Sequence, residues 1–85
     1  YRFMYCDLDA NHHVNNGAYV KLVQNFAPSG FNERYFDEFD ISFHHEAVEN
    51  DIISIHSYKA DADSYAVLGV FPDGKTCFEA MIKVK

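Results

Sequence analysis

The segment of residues 7–16, DLDANHHVNN, concentrates the side chains of this sequence that are best suited to chemistry. It holds two carboxylates, two imidazoles and three carboxamides. In an extended chain alternate side chains face the same way, so Asp9, Asn11 and His13 would share one side of the segment. A carboxylate, an amide and an imidazole grouped in this way can hold a carbonyl oxygen and activate a water molecule, as acyl transfer requires.

These residue types also have a purely local use. Asp and Asn are favoured at turns and helix caps because their side chains bind nearby backbone groups. A cap needs one or two polar groups, and this segment offers more. We therefore interpret the segment as a candidate site that also opens a helix, whose first N–H groups have no partner within the helix and can bind an oxygen.

The helix after this segment is indicated by apolar residues at helical spacing, which are Ala18, Tyr19, Leu22, Val23 and Phe26. They predict one helix from residue 16 to about residue 27, capped by Asn15 or Asn16. Pro28 and the following Gly30 supply its stop signal. Residues 1–8, which are rich in aromatic side chains, are predicted to form a strand before the helix.

The second part of the chain predicts a sheet. A polar connector at residues 31–38 precedes Phe39, Ile41 and Phe43, which alternate with polar residues as in a half-buried strand. Further strands are predicted at residues 51–60, 64–71 and 76–85, with a Pro-Asp-Gly turn at residues 72–74. The order is strand, helix, then at least four strands, the last of them antiparallel. A single helix can bury its apolar face only against the sheet, so residues 1–85 are predicted to be one α+β domain.

Composition excludes several classes of function. The net charge of −6 argues against nucleic acid as a partner, because binding to phosphates needs a basic face. No apolar stretch approaches the roughly 18 residues that a membrane-spanning helix needs. Cys6 and Cys77 are predicted to be two buried thiols rather than a disulfide, and neither belongs to a CxxC pair.

A metal site is not expected, although the sequence holds five histidines. Two HH pairs occur, but adjacent residues of a strand point to opposite faces, so neither pair chelates as a unit. The spacing H-E-x-x-H is absent. We therefore predict no metal and no cofactor.

The string DLDANHHVNNGAYV closely resembles the D-x-N-x-H-V-N-N-x-x-Y signature of acyl-ACP thioesterases, in their C-terminal hotdog half. The later ISFHHEA resembles the strand in which that family places a catalytic Glu. The resemblance implies a hotdog fold, a curved antiparallel β-sheet wrapped around one long α-helix. It also implies that residues 1–85 are a single hotdog domain, the catalytic C-terminal half of a tandem double-hotdog chain in the bacterial cytoplasm, or in a plastid if the source is a plant.

Matched position by position, the resemblance assigns catalysis to Asp9, Asn11, His13 and Glu46. Glu46 or Asp9 would accept a proton from water and His13 would relay the proton or orient the network. Asn11, with the N–H groups at the start of the helix, would hold the thioester oxygen. A carboxylate nucleophile from Asp9 is the minority mechanism.

The neighbouring positions are given smaller roles. Asn15 and Asn16 would mainly shape the turn, with a weaker assignment to substrate binding, and Asp7 is interpreted as structural. The plant enzymes carry a Cys directly after the Glu, whereas this chain has Ala47 there, so a cysteine nucleophile is not expected.

Three functions remain open. The first is hydrolysis of the acyl-phosphopantetheine thioester on acyl carrier protein, which releases a free fatty acid. The second is a hotdog acyl-CoA thioesterase, and the third is a non-catalytic hotdog module that binds acyl groups or dimerises. Asn11, His13 and Glu46 together favour the first, whereas the acidic chain offers no obvious basic patch for an acidic carrier protein.

A hotdog sheet needs its edge covered by a second hotdog, in the same chain or in another copy. We therefore expect the 85-residue segment alone to be a homodimer or poorly soluble. Light scattering on the isolated segment checks this expectation, and a stable, active monomer would contradict it.

Overall fold

An α-helix lies against a four-stranded antiparallel sheet in the computed structural model, which describes residues 1–31 and 33–85. The elements within these residues are α1 (Asn16–Asn25), β1 (Phe36–Phe43), β2 (Ser54–Asp61), β3 (Ser64–Val70) and β4 (Thr76–Val84). The strand order is β1-β4-β3-β2, and all neighbouring strands are antiparallel. The predicted α+β arrangement is confirmed, as is the turn at residues 72–74. β1 begins inside the predicted connector, whose Asn32 lies outside the described residues.

The helix begins after Asn15, one of the two predicted capping residues. The Asn15 side chain accepts a hydrogen bond from the backbone N–H of Ala18 at 2.9 Å. Its buried face lies on the sheet, where the hydroxyl of Tyr65 donates to the carbonyl oxygen of Val23 at 3.1 Å. α1 has ten residues, which is ~15 Å and not a long helix. Phe26 was expected on the buried face of the helix, but it lies just after the last residue of α1 and is 40% exposed. Within the described residues, no helix has the length and apolarity needed to cross a membrane.

The predicted strand at residues 1–8 is wrong. The structure has a short 3-10 helix at Tyr5–Asp7 and only isolated bridges, Arg2 with Ile52 and Leu8 with Val14. The cause is Asp7, which is 2% exposed and whose carboxylate accepts from the backbone N–H of Met4 at 2.9 Å and from the hydroxyl of Tyr1 at 2.7 Å. These bonds to nearby groups bend the chain out of an extended conformation.

A β-bulge in β4 ends the regular pairing on the side of the sheet that leads to the candidate site. Gly69 lies opposite Phe78 and Val70 opposite Thr76, which leaves Cys77 as an extra residue. The carbonyl oxygen of Cys77 accepts from the backbone N–H groups of His44 at 3.0 Å and His45 at 3.3 Å. The bulge therefore fixes the chain directly after β1.

The two cysteines differ from the prediction in one respect. Both are free thiols, and Cys77 is buried, but Cys6 is exposed. Cys6 lies in the 3-10 helix, so its side chain does not point into a sheet core as the predicted strand would have placed it.

Gly69 is the position in β3 where the core has no room for a side chain. A Cβ built there would lie 2.5 Å from Cε1 of Phe78 and 3.0 Å from Cδ1 of Ile53. We expect Gly69→Ala to lower the free energy of unfolding by ~1–3 kcal/mol, as overpacking does. Phe78→Leu removes the opposing ring, so we expect the double variant to lose less free energy of unfolding than the sum of the two single losses. Urea unfolding of the single and double variants checks this, and strictly additive losses would contradict it.

Candidate active site

Residues 8–14 form a tight turn that the Asp9 carboxylate holds together. Its Oδ1 accepts from the backbone N–H of Asn11 at 2.9 Å and of His13 at 3.2 Å, and the Asp9 backbone N–H donates to the His13 carbonyl oxygen at 2.8 Å. His12, at the tip, has a left-handed φ of 62°. The expectation of an extended segment is therefore wrong, because local bonds from the carboxylate stabilise the turn instead.

The turn brings His13 to Glu46. The imidazole Nδ1 is hydrogen-bonded to Oε1 of Glu46, and the two side chains are 59% and 54% exposed. These predicted site residues come from segments on either side of α1 and β1 and meet in space. The Asn11 side chain, by contrast, makes no hydrogen bond within the described residues, so the structure does not bring it into this contact.

The contact changes the acid–base properties of His13. The hydrogen bond to Glu46 and the charge of Glu46 raise the pKa of His13 above its ordinary 6.5, with a smaller contribution from Asp9. A carboxylate only accepts hydrogen bonds, so the ring hydrogen of the pair lies on Nδ1. In the neutral imidazole this leaves Nε2 as the nitrogen able to accept a proton.

A cleft of about 250 Å³ opens between the first turn of α1 and the segment after β1. Its lining residues are Val14, Asn16, Tyr19, Phe43, His44, His45 and Glu46. Tyr19 and Phe43 form an edge-to-face aromatic pair with ring centroids 4.9 Å apart. The cleft therefore places the Glu46 carboxylate beside an apolar, aromatic surface.

The two asparagines after the turn have different positions. Asn16 lines the cleft, where its assignment to substrate binding remains a prediction. The Asn15 side chain is occupied, since it accepts from Ala18 and donates to the carbonyl oxygen of Asp7 at 3.1 Å. Asn15 therefore fixes the start of the helix to the buried Asp7.

Sequence reasoning missed Tyr19, Phe43 and the two histidines before Glu46 as cleft residues. The apolar periodicity assigned Tyr19 and Phe43 to the core, yet Phe43 is 48% exposed. One available signal was helical spacing, because Tyr19 lies three residues after Asn16 and therefore on the same face of α1. Phe43 could not be found this way, because its exposure depends on the end of β1.

The Tyr19 hydroxyl is deeply placed and stays protonated. Burial and, after it, the nearby Cys77 raise the pKa of Tyr19. Its oxygen lies 4.0 Å from Sγ of Cys77. The hydroxyl therefore lies against the side chain of the bulge residue in β4.

The other histidines do not build a metal centre. His44 Nε2 lies 3.4 Å from Oε1 of Glu79 as a separate pair. Across residues 1–31 and 33–85, no group of three or more His, Cys, Asp or Glu side chains is placed to hold a metal ion.

Comparison with known families identifies the family of this chain. The model of the acyl-ACP thioesterase C-terminal domain matches residues 1–74. The chain belongs to this family. The resemblance found in the sequence is thereby confirmed. A comparison with curated proteins finds no match.

Solved structures show the same fold for this acyl-ACP thioesterase C-terminal domain. An acyl-ACP thioesterase from Bacteroides thetaiotaomicron VPI-5482 aligns with a TM-score of 0.86 and 16% identity, over 100% of this chain and 35% of that chain. YbaW, a probable thioesterase from Escherichia coli, aligns with a TM-score of 0.77 and 20% identity, over 99% and 77% of the two chains. A thioesterase superfamily protein from Jannaschia sp. CCS1 aligns with a TM-score of 0.69 and 17% identity, over 99% of this chain and 72% of that chain. The fold is therefore hotdog-like α+β, and the chain spans about a third of the Bacteroides protein.

The His13–Glu46 contact predicts a measurable titration. In the intact protein the His13 ring should titrate above 6.5, and Glu46→Gln should move its midpoint down towards 6.5 by removing the charge. The stability that this contact supplies is present below 6.5 and is lost as the pH rises through the raised pKa of His13. Histidine ring NMR checks the midpoint, with Glu79→Gln as a control that leaves His13 unchanged. An unchanged His13 midpoint in Glu46→Gln would contradict the contact.

Proposed function

We propose that this chain hydrolyses the thioester of acyl-acyl carrier protein and releases a free fatty acid. The observation that carries the proposal is the His13–Glu46 contact beside the cleft at the start of α1, in a member of the acyl-ACP thioesterase C-terminal domain family. A module that only binds acyl groups would gain nothing from an exposed imidazole whose basicity a carboxylate raises. The pair therefore favours an enzyme over a binding module.

In the proposed reaction His13 and Glu46 activate water as a unit. Glu46 holds the imidazole with its hydrogen on Nδ1, and Nε2 accepts a proton as the water oxygen bonds to the thioester carbon. Glu46 stabilises the imidazolium that forms. When the tetrahedral intermediate collapses, the carbon–sulfur bond breaks, the electron pair leaves on sulfur, and the imidazolium returns its proton to the thiolate. The products are a fatty acid and the free thiol of the carrier.

The negative charge on the carbonyl oxygen needs donors, and the start of α1 offers them. The N–H groups of Asn16 and Gly17 have no acceptor within the helix, whereas that of Ala18 is bound by Asn15. Asn11 is proposed as a further donor from its exposed position on the turn. These groups would hold the thioester oxygen while water attacks from the side of His13.

Asp9 has a different role in this proposal from the one that the sequence suggested. Its Oδ1 already accepts two backbone hydrogen bonds, one of them from His13. We therefore propose that Asp9 orients His13 by holding the turn and that the His13–Glu46 pair accepts the proton from water.

A second candidate substrate is acyl-CoA, which does not require the chain to dock an acidic carrier protein. Acyl carrier protein is acidic, and an acidic chain with net charge −6 does not attract it electrostatically. A docking patch on a further domain would remove this difficulty. We propose such a domain, with this chain as the C-terminal catalytic half of a tandem double hotdog, because the fold accounts for only 35% of the Bacteroides protein.

The substitution Glu46→Gln tests whether the charge of Glu46 is needed for catalysis in a folded protein. In the intact protein we expect the rate of acyl-ACP hydrolysis to fall by at least ~100-fold, since the imidazole loses the charge that raises its basicity. Glu79→Gln, which removes the carboxylate beside His44, is the matched control and should retain normal turnover.

Hydrolysis of acyl-ACP and acyl-CoA of the same acyl chain is compared by release of free thiol. Faster hydrolysis of acyl-ACP supports the proposal, and faster hydrolysis of acyl-CoA assigns the second substrate. A folded wild-type protein that hydrolyses neither is a binding module, and near-normal kinetics in Glu46→Gln would remove Glu46 from the mechanism.

A further inference from the structure

Residues 44–48, which we call the Glu46 segment, lead from the end of β1 into the next turn of the chain. The carbonyl oxygen of Cys77 accepts from the N–H groups of His44 and His45 at 3.0 and 3.3 Å, which fixes the first half of the segment. The Glu46 side chain is 54% exposed, so its direction depends on the backbone on both sides of it. That direction is fixed only if the second half of the segment is held as well.

Asp51 holds the second half of the segment through Val48. Its carboxylate Oδ2 accepts from the backbone N–H of Val48 at 2.9 Å, and its own backbone N–H donates to the Val48 carbonyl oxygen at 3.0 Å. The second bond closes a four-residue turn at residues 48–51, in which Asn50 has a left-handed φ of 72°. One residue therefore binds both backbone polar groups of Val48, two positions after Glu46.

The turn that Asp51 closes is anchored to the core by Phe3. The backbone N–H of Phe3 donates to the Asp51 carbonyl oxygen at 2.9 Å, and the Phe3 carbonyl oxygen accepts from the N–H of Asn50 at 2.8 Å. Phe3 and Ala47 are both fully buried. The Asp51 carboxylate therefore ties Val48 to a fixed part of the domain.

We propose that the Asp51 carboxylate is a positioning group for the candidate site. It binds the backbone N–H of Val48 and thereby directs the Glu46 side chain to His13. Only Ala47 separates Glu46 from Val48, so a fixed Val48 restricts the backbone conformations open to Glu46. The consequence for catalysis rests on the proposed function, whereas the consequence for the His13–Glu46 contact does not. Asp51 acts through the backbone and takes no part in the bond-breaking steps.

The chain offers a matched control in Asp73. Its Oδ1 accepts from the backbone N–H of Lys75 at 2.9 Å, in the turn between β3 and β4 and outside the cleft. Asp51→Ala and Asp73→Ala each remove a carboxylate that accepts from a backbone N–H within a turn. Only the first removes a bond to the Glu46 segment.

The variant Asp51→Asn separates the hydrogen bond from the charge. Its amide oxygen can still accept from the N–H of Val48, whereas the negative charge is lost. A change that occurs in Asp51→Ala and not in Asp51→Asn is therefore due to the bond.

The experiment measures the His13 titration by NMR and the steady-state kinetics of the three variants in the intact protein. For Asp51→Ala we expect the His13 midpoint to move down towards 6.5, because a displaced Glu46 no longer binds the ring. We expect kcat to fall ~10- to 100-fold, as a misplaced catalytic group would cause, with little change in KM. Asp51→Asn should retain most of both quantities, and Asp73→Ala should change neither.

Amide hydrogen exchange in the wild-type protein adds a measurement that needs no variant. Val48 is 55% exposed, so its backbone N–H would exchange like that of a free surface residue if Asp51 did not bind it. We expect slowed exchange at Val48 in the wild-type protein and loss of this protection in Asp51→Ala.

Four results would overturn the proposal. They are an unprotected Val48 amide in the wild-type protein, an unchanged His13 midpoint in Asp51→Ala, an unchanged kcat with a shifted midpoint, and shifts in Asp51→Asn or Asp73→Ala that equal those in Asp51→Ala. Equal shifts would indicate an effect of charge or a general loosening. Thermal unfolding confirms that the variants are folded. If the wild-type protein hydrolyses no thioester, the proposed function fails, and the titration still decides whether Asp51 positions Glu46.

Discussion

Burial of one face of α1 against the sheet is the interaction on which the candidate site depends. Tyr19, Leu22 and Val23 lie between the helix and the inner faces of β3 and β4, and all three are almost completely buried. This packing fixes the start of the helix beside the end of β1, because both lie at the same edge of the core. The turn that precedes the helix is thereby brought to the segment that follows β1. Neither segment could form the site alone.

The His13–Glu46 contact contributes little to the stability of the domain because it lies at the surface. Both side chains are more than half exposed, and ion pairs in such positions contribute little to the free energy of folding. Its main physical effect is on the proton affinity of the imidazole. The backbone on either side of the contact is held by hydrogen bonds of Asp9, which is exposed, and of Asn15 and the Cys77 bulge.

Periodicity in the sequence predicted the elements whose side chains meet the core. The helix after Asn15, the four later strands and the turn at residues 72–74 follow from apolar spacing and from turn chemistry. The strand at residues 1–8 and the extended segment after it were wrong for one shared reason. Asp7 and Asp9 bind backbone groups a few residues away, and such bonds compete with strand formation without altering the apolar pattern.

Part of the candidate site was predicted from the family motif rather than from periodicity. His13 and Glu46 were paired through the family motif, since spacing within one chain does not reveal which distant segments meet. The role of Cys77 depends on a bulge, and hydrophobic alternation carries no sign of an extra residue in one strand. Tyr19 was assigned correctly to the buried face of the helix, but the position of its hydroxyl 4.0 Å from Sγ of Cys77 is supplied only by the tertiary structure.

The bulge at Cys77 makes the site sensitive to chain length as well as to side-chain identity. A β4 shorter by this one residue would still form the hairpin with β3, and regular pairing would run on through its base. The carbonyl that binds His44 and His45 would then be absent from its place, and the backbone leading to Glu46 would lose its support. A single-residue deletion far from the cleft in sequence is thus equivalent, for this domain, to a change within the cleft itself.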